Sequence, residues 1–202
     1  ARDYCILRFG RGGAELLADA LMMTEEVARR TFYVTAFSGA KRDAYAITHR
    51  CVFTDGRHYY QIVADPHAIA YQVNHVRGKV PQFMEQAEQT RQLSRAMVER
   101  AREASIQMRA AGIADALPVI ESFEHFHSLV EILTHYQQAM VLWYYKDERR
   151  LTSHVENESR ALCAFHAREA LDRFKSYREK YDLYKDGGMV PLLRSYLKQL
   201  GE

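Results

Sequence analysis

The segment LPVIESFEHFHSLVEILTHYQQAMVLWYY, residues 117–145, is the most apolar long stretch of the chain and holds its only tryptophan. When its residues are placed on a helical wheel at about 100° each, apolar side chains cover more than half of the circumference. The remaining narrow edge is polar and contains Glu121, Glu124, Ser128, Glu131 and His135. A helix that is apolar over so much of its surface packs against neighbours on two sides, so we predict that it is the central element of the fold.

The rest of residues 79–202 also predicts helices. Residues 80–111 carry an inward stripe of small and flexible apolar side chains, namely Phe83, Ala87, Met97, Ala101, Ala104 and Met108. Ser153 and Glu156 match a capping box, which starts a helix that runs to about residue 185. Residues 191–200 form a short last helix. Because three long helices are joined by short connections, we expect an antiparallel bundle.

Residues 1–78 predict a small α/β unit. In chain order, its elements are a strand over 4–9, a helix over 14–30, a strand over 31–37, a hairpin of strands 44–53 and 58–63, and a helix over 65–76. The hairpin turns at Thr54-Asp55-Gly56, a sequence that tolerates positive φ. The predicted fold class is therefore α+β and predominantly helical, divided near residue 78. A single continuous domain and a fragment of a longer chain are the alternatives.

The composition is that of an ordinary folded protein and excludes some classes of partner. The formal net charge of +2 is too small to predict binding to nucleic acid or to an anionic membrane. No stretch reaches the roughly 18 uninterrupted apolar residues needed to span a bilayer. The three cysteines, Cys5, Cys51 and Cys163, form no CxxC pair, which favours the cytoplasm or another reducing compartment.

Acidic and imidazole side chains at helical spacing form a candidate metal site. Glu124, His127 and Glu131 are three and four residues apart, and His166 and Glu169 are three apart on the following long helix. Facing helices hold the metals of di-iron bundles with carboxylate and imidazole ligands, so one hypothesis is a divalent metal bound by these residues. That architecture repeats Glu-x-x-His, whereas the second helix here reads His-x-x-Glu. We favour the alternative, local hydrogen bonding at the edge of the apolar face.

A glycine-rich stretch, Gly10-Arg11-Gly12-Gly13, precedes the first predicted helix. Backbone amides at a helix start favour a phosphate, and Arg11 is then a candidate ligand-binding residue. The Lys-Ser/Thr pair of a P-loop and the third glycine of the dinucleotide fingerprint are both absent. A plain turn is the favoured alternative.

Aromatic residues are concentrated in the last two long helices. Trp143, Tyr144 and Tyr145 end the central helix, and Tyr177, Tyr181 and Tyr184 end the next one. We predict that both groups gather at the bundle end near residues 146–151. Tyrosine and tryptophan are favoured where one side is buried and the other meets water or a partner. Tyr144 and Tyr181 are therefore candidate pocket or interface residues, and the plain end of the core is the alternative.

The order of elements resembles the helical connecting region of phosphoenolpyruvate-utilising phosphotransferases. The resemblance is carried by a strand-rich piece with Tyr59-Tyr60, followed by long charged helices, and it spans about residues 44–200. That family's Thr-x-Gly-Gly…Ser-His phosphohistidine loop and its nucleotide-grasp domain are absent. The resemblance therefore implies a non-catalytic part of a larger enzyme, with no site residue carried over.

No motif specific to one chemistry occurs in the sequence. The leading hypothesis is a soluble helical scaffold or protein-interaction module, which binds a protein partner or a second copy of this chain. The alternative is an enzyme or ligand-binding protein with its pocket between residues 1–78 and the bundle, where interfaces of this kind commonly form pockets. The Glu/His metal site belongs to that alternative.

Overall fold

The computed structural model describes residues 1–32, 79–113, 116–146, 151–181 and 189–202. These residues form six helices and, within the described ranges, no strand. The helices are α1 (Arg2–Phe9), α2 (Ala14–Phe32), α3 (Val80–Ala110), α4 (Ala116–Tyr145), α5 (Ser153–Tyr181) and α6 (Met189–Leu200). No helix in this part of the chain is both long and apolar enough to cross a bilayer.

The predicted α+β class is wrong, because the described residues are helical throughout. Residues 4–9, predicted as a strand, lie inside α1, and Thr31 lies in the last turn of α2. On α1, Cys5 is fully buried whereas Tyr4 and Leu7 are exposed. One-sided burial of this kind suits a short helix on a surface and not a strand covered on both faces. The predicted hairpin (44–53 and 58–63) and the helix over 65–76 lie outside the described residues.

The helices predicted after residue 78 are confirmed. α3 and α4 agree with the predicted bounds to within one residue, and α5 begins at Ser153 as expected. The described part of α5 ends at Tyr181, and residues 182–185 of the prediction lie outside the described residues. The predicted capping box of Ser153 and Glu156 is wrong, however, because the capping residue is Thr152 and the residue three positions later is Val155. Thr152 is the residue whose side-chain oxygen accepts a hydrogen bond from the first turn, at 3.4 Å from the amide nitrogen of Val155. α6 begins two residues before the predicted start.

α4 is the central helix, as predicted, with α3 on one side and α5 on the other. Arg102 of α3 contacts Glu124 near the start of α4, whereas Arg91 contacts Thr134 farther along it. Positions on α3 fall as those on α4 rise, so the two helices are antiparallel. The same reversal relates α4 to α5, as the contacts at the candidate site demonstrate. α2 packs antiparallel to α3, against the face of α3 that carries its small apolar residues and methionines. One contact between them is the hydrogen bond from Oγ1 of Thr24 to Sδ of Met97.

In the part of the chain that the structure describes, the apolar core forms two clusters that meet on α4. One cluster joins α1, α2 and the second half of α3 to Phe123 and Val130 at the front of α4. The other joins the start of α3, the second half of α4, α5 and α6, and it includes Ile132. Polar residues are buried on α4 beside this junction, namely Glu131, Thr134, His135, Gln137 and Gln138. Part of the predicted polar edge of this helix is therefore interior.

The turn between α1 and α2 packs closely onto α3. Gly13 has φ 76°, and a Cβ at this position would lie 2.5 Å from the carbonyl oxygen of Ala104. A Cβ on Gly12 would lie 2.8 Å from the Cβ of Ala111. Only glycine fits both the positive φ and the close approach at residue 13. The glycine stretch thus has a packing role that requires no bound phosphate.

Candidate functional site

Glu131 is a buried carboxylate at the junction of three helices, with 4% of the residue exposed. Nη2 of Arg95 on α3 donates a hydrogen bond to its Oε1 at 3.2 Å, and Nη1 of Arg173 on α5 lies 3.2 Å from its Oε2. The Nε2 atoms of His127 and His135 each lie 3.9 Å from one of the same oxygens. Because a buried charge costs several kcal/mol unless it is paired, arginines from two helices stabilise this one.

His135 and His166 form a hydrogen-bonded pair between α4 and α5, with their Nδ1 atoms 2.9 Å apart. One ring donates and the other accepts, so at least one of them is neutral. Burial, together with the nearby Arg91 guanidinium, lowers the pKa of His135 to about 2 and that of His166 to about 4. Both imidazoles are therefore neutral at pH 7.

His127 is held in place by α3. Its Nδ1 lies 2.7 Å from Oγ of Ser94, which is buried. Burial lowers the pKa of His127, and the Glu131 carboxylate opposes that shift. The hydrogen bond to Ser94 fixes the ring and leaves its Nε2 on the side of Glu131.

Arg91 anchors a second buried polar network one turn away. Its Nη1 donates to Oγ1 of Thr134 at 3.2 Å and to Oε1 of Gln138. Its Nη2 donates to Glu88 at 2.6 Å, and that hydrogen bond lowers the pKa of the Glu88 carboxyl. The amide of Gln138 donates in turn to the backbone oxygen of Met84 at 3.4 Å. The polar groups at this level of the bundle are thus joined in one network, which supports the neighbouring Glu131.

A cleft of about 390 Å³ opens between α4 and α5 beside Glu131, and we call it the Glu131 cleft. It is lined by His127, Ser128, Glu131, Glu169, Asp172, Arg173, Ser176, Tyr177, Lys180 and Tyr181. The hydroxyl of Tyr177 is 2.7 Å from Nε2 of His125, which fixes one aromatic wall. The adjacent Tyr181 hydroxyl and the Glu124 carboxylate raise the pKa of Lys180. The cleft lies within the bundle, whereas the sequence hypothesis placed a pocket between the bundle and residues 1–78.

The five predicted metal ligands are only partly brought together. His127, Glu131 and Glu169 line the cleft, whereas His166 faces His135. Each of the three carboxylates is paired with a basic side chain: Glu124 with Arg102 and Lys180, Glu131 with Arg95 and Arg173, and Glu169 with Arg173. Among the residues that the structure describes, no group of three or more His, Cys, Asp or Glu side chains is arranged to hold a metal ion.

The predicted ligand-binding residues Arg11, Tyr144 and Tyr181 do not line one common cleft. Tyr181 lies on the cleft, where its ring centroid is 4.6 Å from that of His125. Tyr144 follows His125 by 19 positions on the same helix, which separates them by about 28 Å at the helical rise. The predicted gathering of the aromatic residues at one bundle end is therefore wrong for those that the structure describes, because antiparallel helices carry their C-terminal ends to opposite ends of the bundle. Tyr184 lies outside the described residues.

Arg11 is exposed at the turn between α1 and α2. It lines a shallow groove there together with the acidic residues Glu15, Asp19 and Glu103. Carboxylates beside Arg11 disfavour an anionic ligand, which agrees with the packing role of the neighbouring glycines.

Sequence reasoning missed the basic residues that complete the site. Arg95 and Arg173 pair with Glu131 from separate helices, and no spacing within one helix reveals a partner on another. One signal was available for Arg173, which lies between Ala170 and Phe174 on the buried face of its helix. A charged side chain at the edge of a buried face requires a partner.

No family model matches this chain, and neither a curated protein nor a solved structure matches it. The likeness in element order to phosphoenolpyruvate-utilising phosphotransferases thus gains no support from these comparisons. The fold and the site define the chain as a helical bundle with a polar cleft beside a buried, arginine-paired glutamate.

Proposed function

We propose that this protein is a helical ligand-binding module in which the Glu131 cleft holds a small polar molecule. A single observation carries the proposal: Oε2 of Glu131 is buried at the wall of the cleft and accepts no hydrogen bond from the described residues. The ion pair with Nη1 of Arg173, 3.2 Å away, compensates the buried charge, but the described residues donate no hydrogen bond to this oxygen. A ligand that donates to it gains a hydrogen bond to a charged group, which contributes about 1.5–3 kcal/mol.

The dimensions and the lining of the cleft support the same function. Its volume of about 390 Å³ is within the range of small-molecule pockets. Hydroxyl, carboxylate and basic groups converge there, and two tyrosine rings supply apolar surface. The buried hydrogen bonds of Ser94 with His127 and of Arg91 with Thr134 hold the surrounding helices in register. Preorganisation of this kind lowers the entropic cost of binding.

Filling the cleft is expected to abolish binding without unfolding the protein. Ser176 is exposed and lines the cleft, so the indole of Ser176→Trp has space to enter it. A chemically diverse set of small molecules is screened against the wild type by ligand-observed NMR. We expect the ligands that bind wild type to be lost in Ser176→Trp, while the melting temperature changes little, because surface substitutions usually alter stability by less than about 0.5 kcal/mol.

Ser122→Trp is the matched control, since Ser122 is exposed on α4 and does not line the cleft. Ligands that bind both tryptophan variants equally well, or a screen in which no ligand depends on residue 176, would contradict the proposal.

A protein-interaction module is the second candidate function, and it is favoured by the outer face of α1. Leu7 is 87% exposed and Tyr4 is 62% exposed on this helix. Neighbouring exposed apolar side chains can mark a protein interface. We propose a protein partner or a second copy of the chain for this surface.

Size-exclusion chromatography with light scattering tests this second candidate. We expect a mass above that of the monomer for the wild type, or co-elution of a partner in a pull-down, and loss of either in Leu7→Glu. Arg8→Glu, also exposed on α1, controls for the added charge. A strictly monomeric wild type with no partner would exclude this function.

A further inference from the structure

Two residues that line the Glu131 cleft each carry a buried polar atom that makes no hydrogen bond to the described residues. They are Glu131, through Oε2, and Arg173, through Nε. Nη1 of Arg173 is 3.2 Å from Oε2 of Glu131, but the Nε–H of the same guanidinium has no acceptor among the described residues. Buried polar groups are nearly always hydrogen-bonded, so two such atoms beside one cleft indicate a ligand surface.

The chemistry of these atoms restricts the ligand. A carboxylate oxygen only accepts hydrogen bonds, and the Nε–H of an arginine only donates one. A hydroxyl group on the ligand meets both requirements, because it donates to Glu131 and accepts from Arg173. A molecule with several hydroxyl groups can also reach the Tyr181 hydroxyl beside them.

The charges of the cleft point away from a charged ligand. Its lining carries the carboxylates of Glu131, Glu169 and Asp172 and the cations of Arg173 and Lys180. Both basic groups are already ion-paired, Arg173 with Glu131 and Glu169 and Lys180 with Glu124. An uncharged ligand can hydrogen-bond to these groups without breaking the pairs.

Two tyrosine rings provide the remaining contact surface. The rings of Tyr177 and Tyr181 both line the cleft, and their centroids are 4.8 Å apart. Aromatic side chains with a polar tip pack against apolar C–H surface while their hydroxyls reach polar groups. A ring-shaped polyhydroxy compound presents both kinds of surface at once.

We infer that the ligand of the Glu131 cleft is an uncharged, ring-shaped polyhydroxy molecule of sugar or cyclitol type. This inference rests on the proposed function and adds the chemical class of the ligand. Glu131 and Arg173 are its polar anchors, and Tyr177 and Tyr181 cover its C–H face.

The test is a titration of the full ¹⁵N-labelled chain with myo-inositol and with D-glucose, followed in ¹H–¹⁵N spectra. The Nε–H resonance of Arg173, assigned by its loss in Arg173→Lys, is expected to shift and to saturate. Glu131→Gln keeps the shape of the side chain and removes its charge. We expect it to weaken polyol binding by about tenfold or more, since hydrogen bonds to charged groups are the strong ones.

Glu121→Gln is the matched control, because Glu121 is exposed on the same helix and does not line the cleft. Its affinity is expected to equal that of the wild type. Circular dichroism confirms that each variant folds, and Ser176→Trp provides a second test of the site if Glu131→Gln does not.

Titrations with charged probes distinguish a failure of the inferred ligand class from a failure of the proposed ligand-binding function. Inorganic phosphate, glycine, butylammonium and Mg²⁺ are titrated in the same way. If one of them binds in place of the polyols and is lost in Ser176→Trp, the ligand class is overturned and the proposed function stands. If no probe moves the Arg173 resonance and the small-molecule screen is also empty, the cleft holds only solvent and both are overturned.

Discussion

Acidification from pH 6.5 to pH 4.5 is expected to lower the free energy of unfolding by about 2 kcal/mol for each of two buried histidines. Burial lowers the pKa of His166 to about 4 and that of His135 to about 2, from an ordinary value of 6.5. Below pH 6.5 the unfolded chain therefore binds protons that the folded chain does not. Stability falls as the pH falls through this window, and urea denaturation at several pH values measures the loss.

Between pH 6.5 and pH 4.5, the loss of stability comes mainly from protonation of the histidines and not of the carboxylates. Carboxyls with lowered pKa, such as Glu88 and Glu124, add most of their share of the loss below their ordinary value of 4.5. His127 and His125 also have a pKa lowered by burial and act in the same direction as the pair. Replacing the pair together, in His135→Gln/His166→Gln, is expected to flatten most of the pH dependence.

His154→Gln is the control, since His154 is exposed on α5. Its stability is expected to follow the wild-type pH dependence. A wild-type stability that stays constant between pH 6.5 and pH 4.5 would show that the His135–His166 pair is not buried in neutral form.

Gly13→Ala is expected to destabilise the protein by about 3 kcal/mol, the sum of a backbone cost and a packing cost. The residue has φ 76°, and the new Cβ would lie 2.5 Å from the carbonyl oxygen of Ala104 and 3.0 Å from Cγ of Met108. A backbone oxygen inside α3 cannot move without breaking that helix. The loss is measured by urea denaturation.

Gly112→Ala separates the two costs. Gly112 has nearly the same φ, 77°, but apart from its chain neighbours no atom of the described residues lies within 4 Å of its added Cβ. It is expected to lose only about 1 kcal/mol, from the positive φ alone. Equal losses at the two positions would mean that the turn between α1 and α2 does not pack against α3.

The bundle could be predicted because its signals are local. The apolar pattern of α4 covers more than half of the wheel, and the helix starts and ends carry recognisable capping and glycine signals. α1 was misassigned because eight residues are too short to distinguish a helix from a strand by periodicity. Packing against neighbouring helices buries Cys5 on one side of α1 and favours the helix. This packing cannot be predicted from the sequence of the segment itself.

The candidate site could be predicted only in part, for a similar reason. The spacing of His127 and Glu131 on one helix identified two residues of the cleft. Their partners Arg95 and Arg173 come from other helices, so they depend on how α3 and α5 pair with α4. The separation of Tyr144 from Tyr181 likewise follows from helix direction, which aromatic content alone does not encode.

The buried polar groups on and around α4 also affect which register the helices of the bundle adopt. Arg91, Glu131 and the His135–His166 pair each join α4 to one specific position on a neighbouring helix. A shift by one turn would leave these groups buried without partners, at several kcal/mol for each charge. Our hypothesis is that the buried polar groups beside the cleft also fix the register in which α3 and α5 pack against α4. It would be contradicted if replacing Arg91 with methionine left the α4 resonances of the folded protein unchanged.

The most direct measurement of the central claim is the Arg173 Nε–H resonance during titration with myo-inositol. The predicted result is a saturable shift that is absent in Ser176→Trp, is weakened by about tenfold or more in Glu131→Gln, and is retained in Glu121→Gln. A resonance that no polyol moves, or that moves equally in Ser176→Trp, would contradict the assignment of the Glu131 cleft as a polyol site.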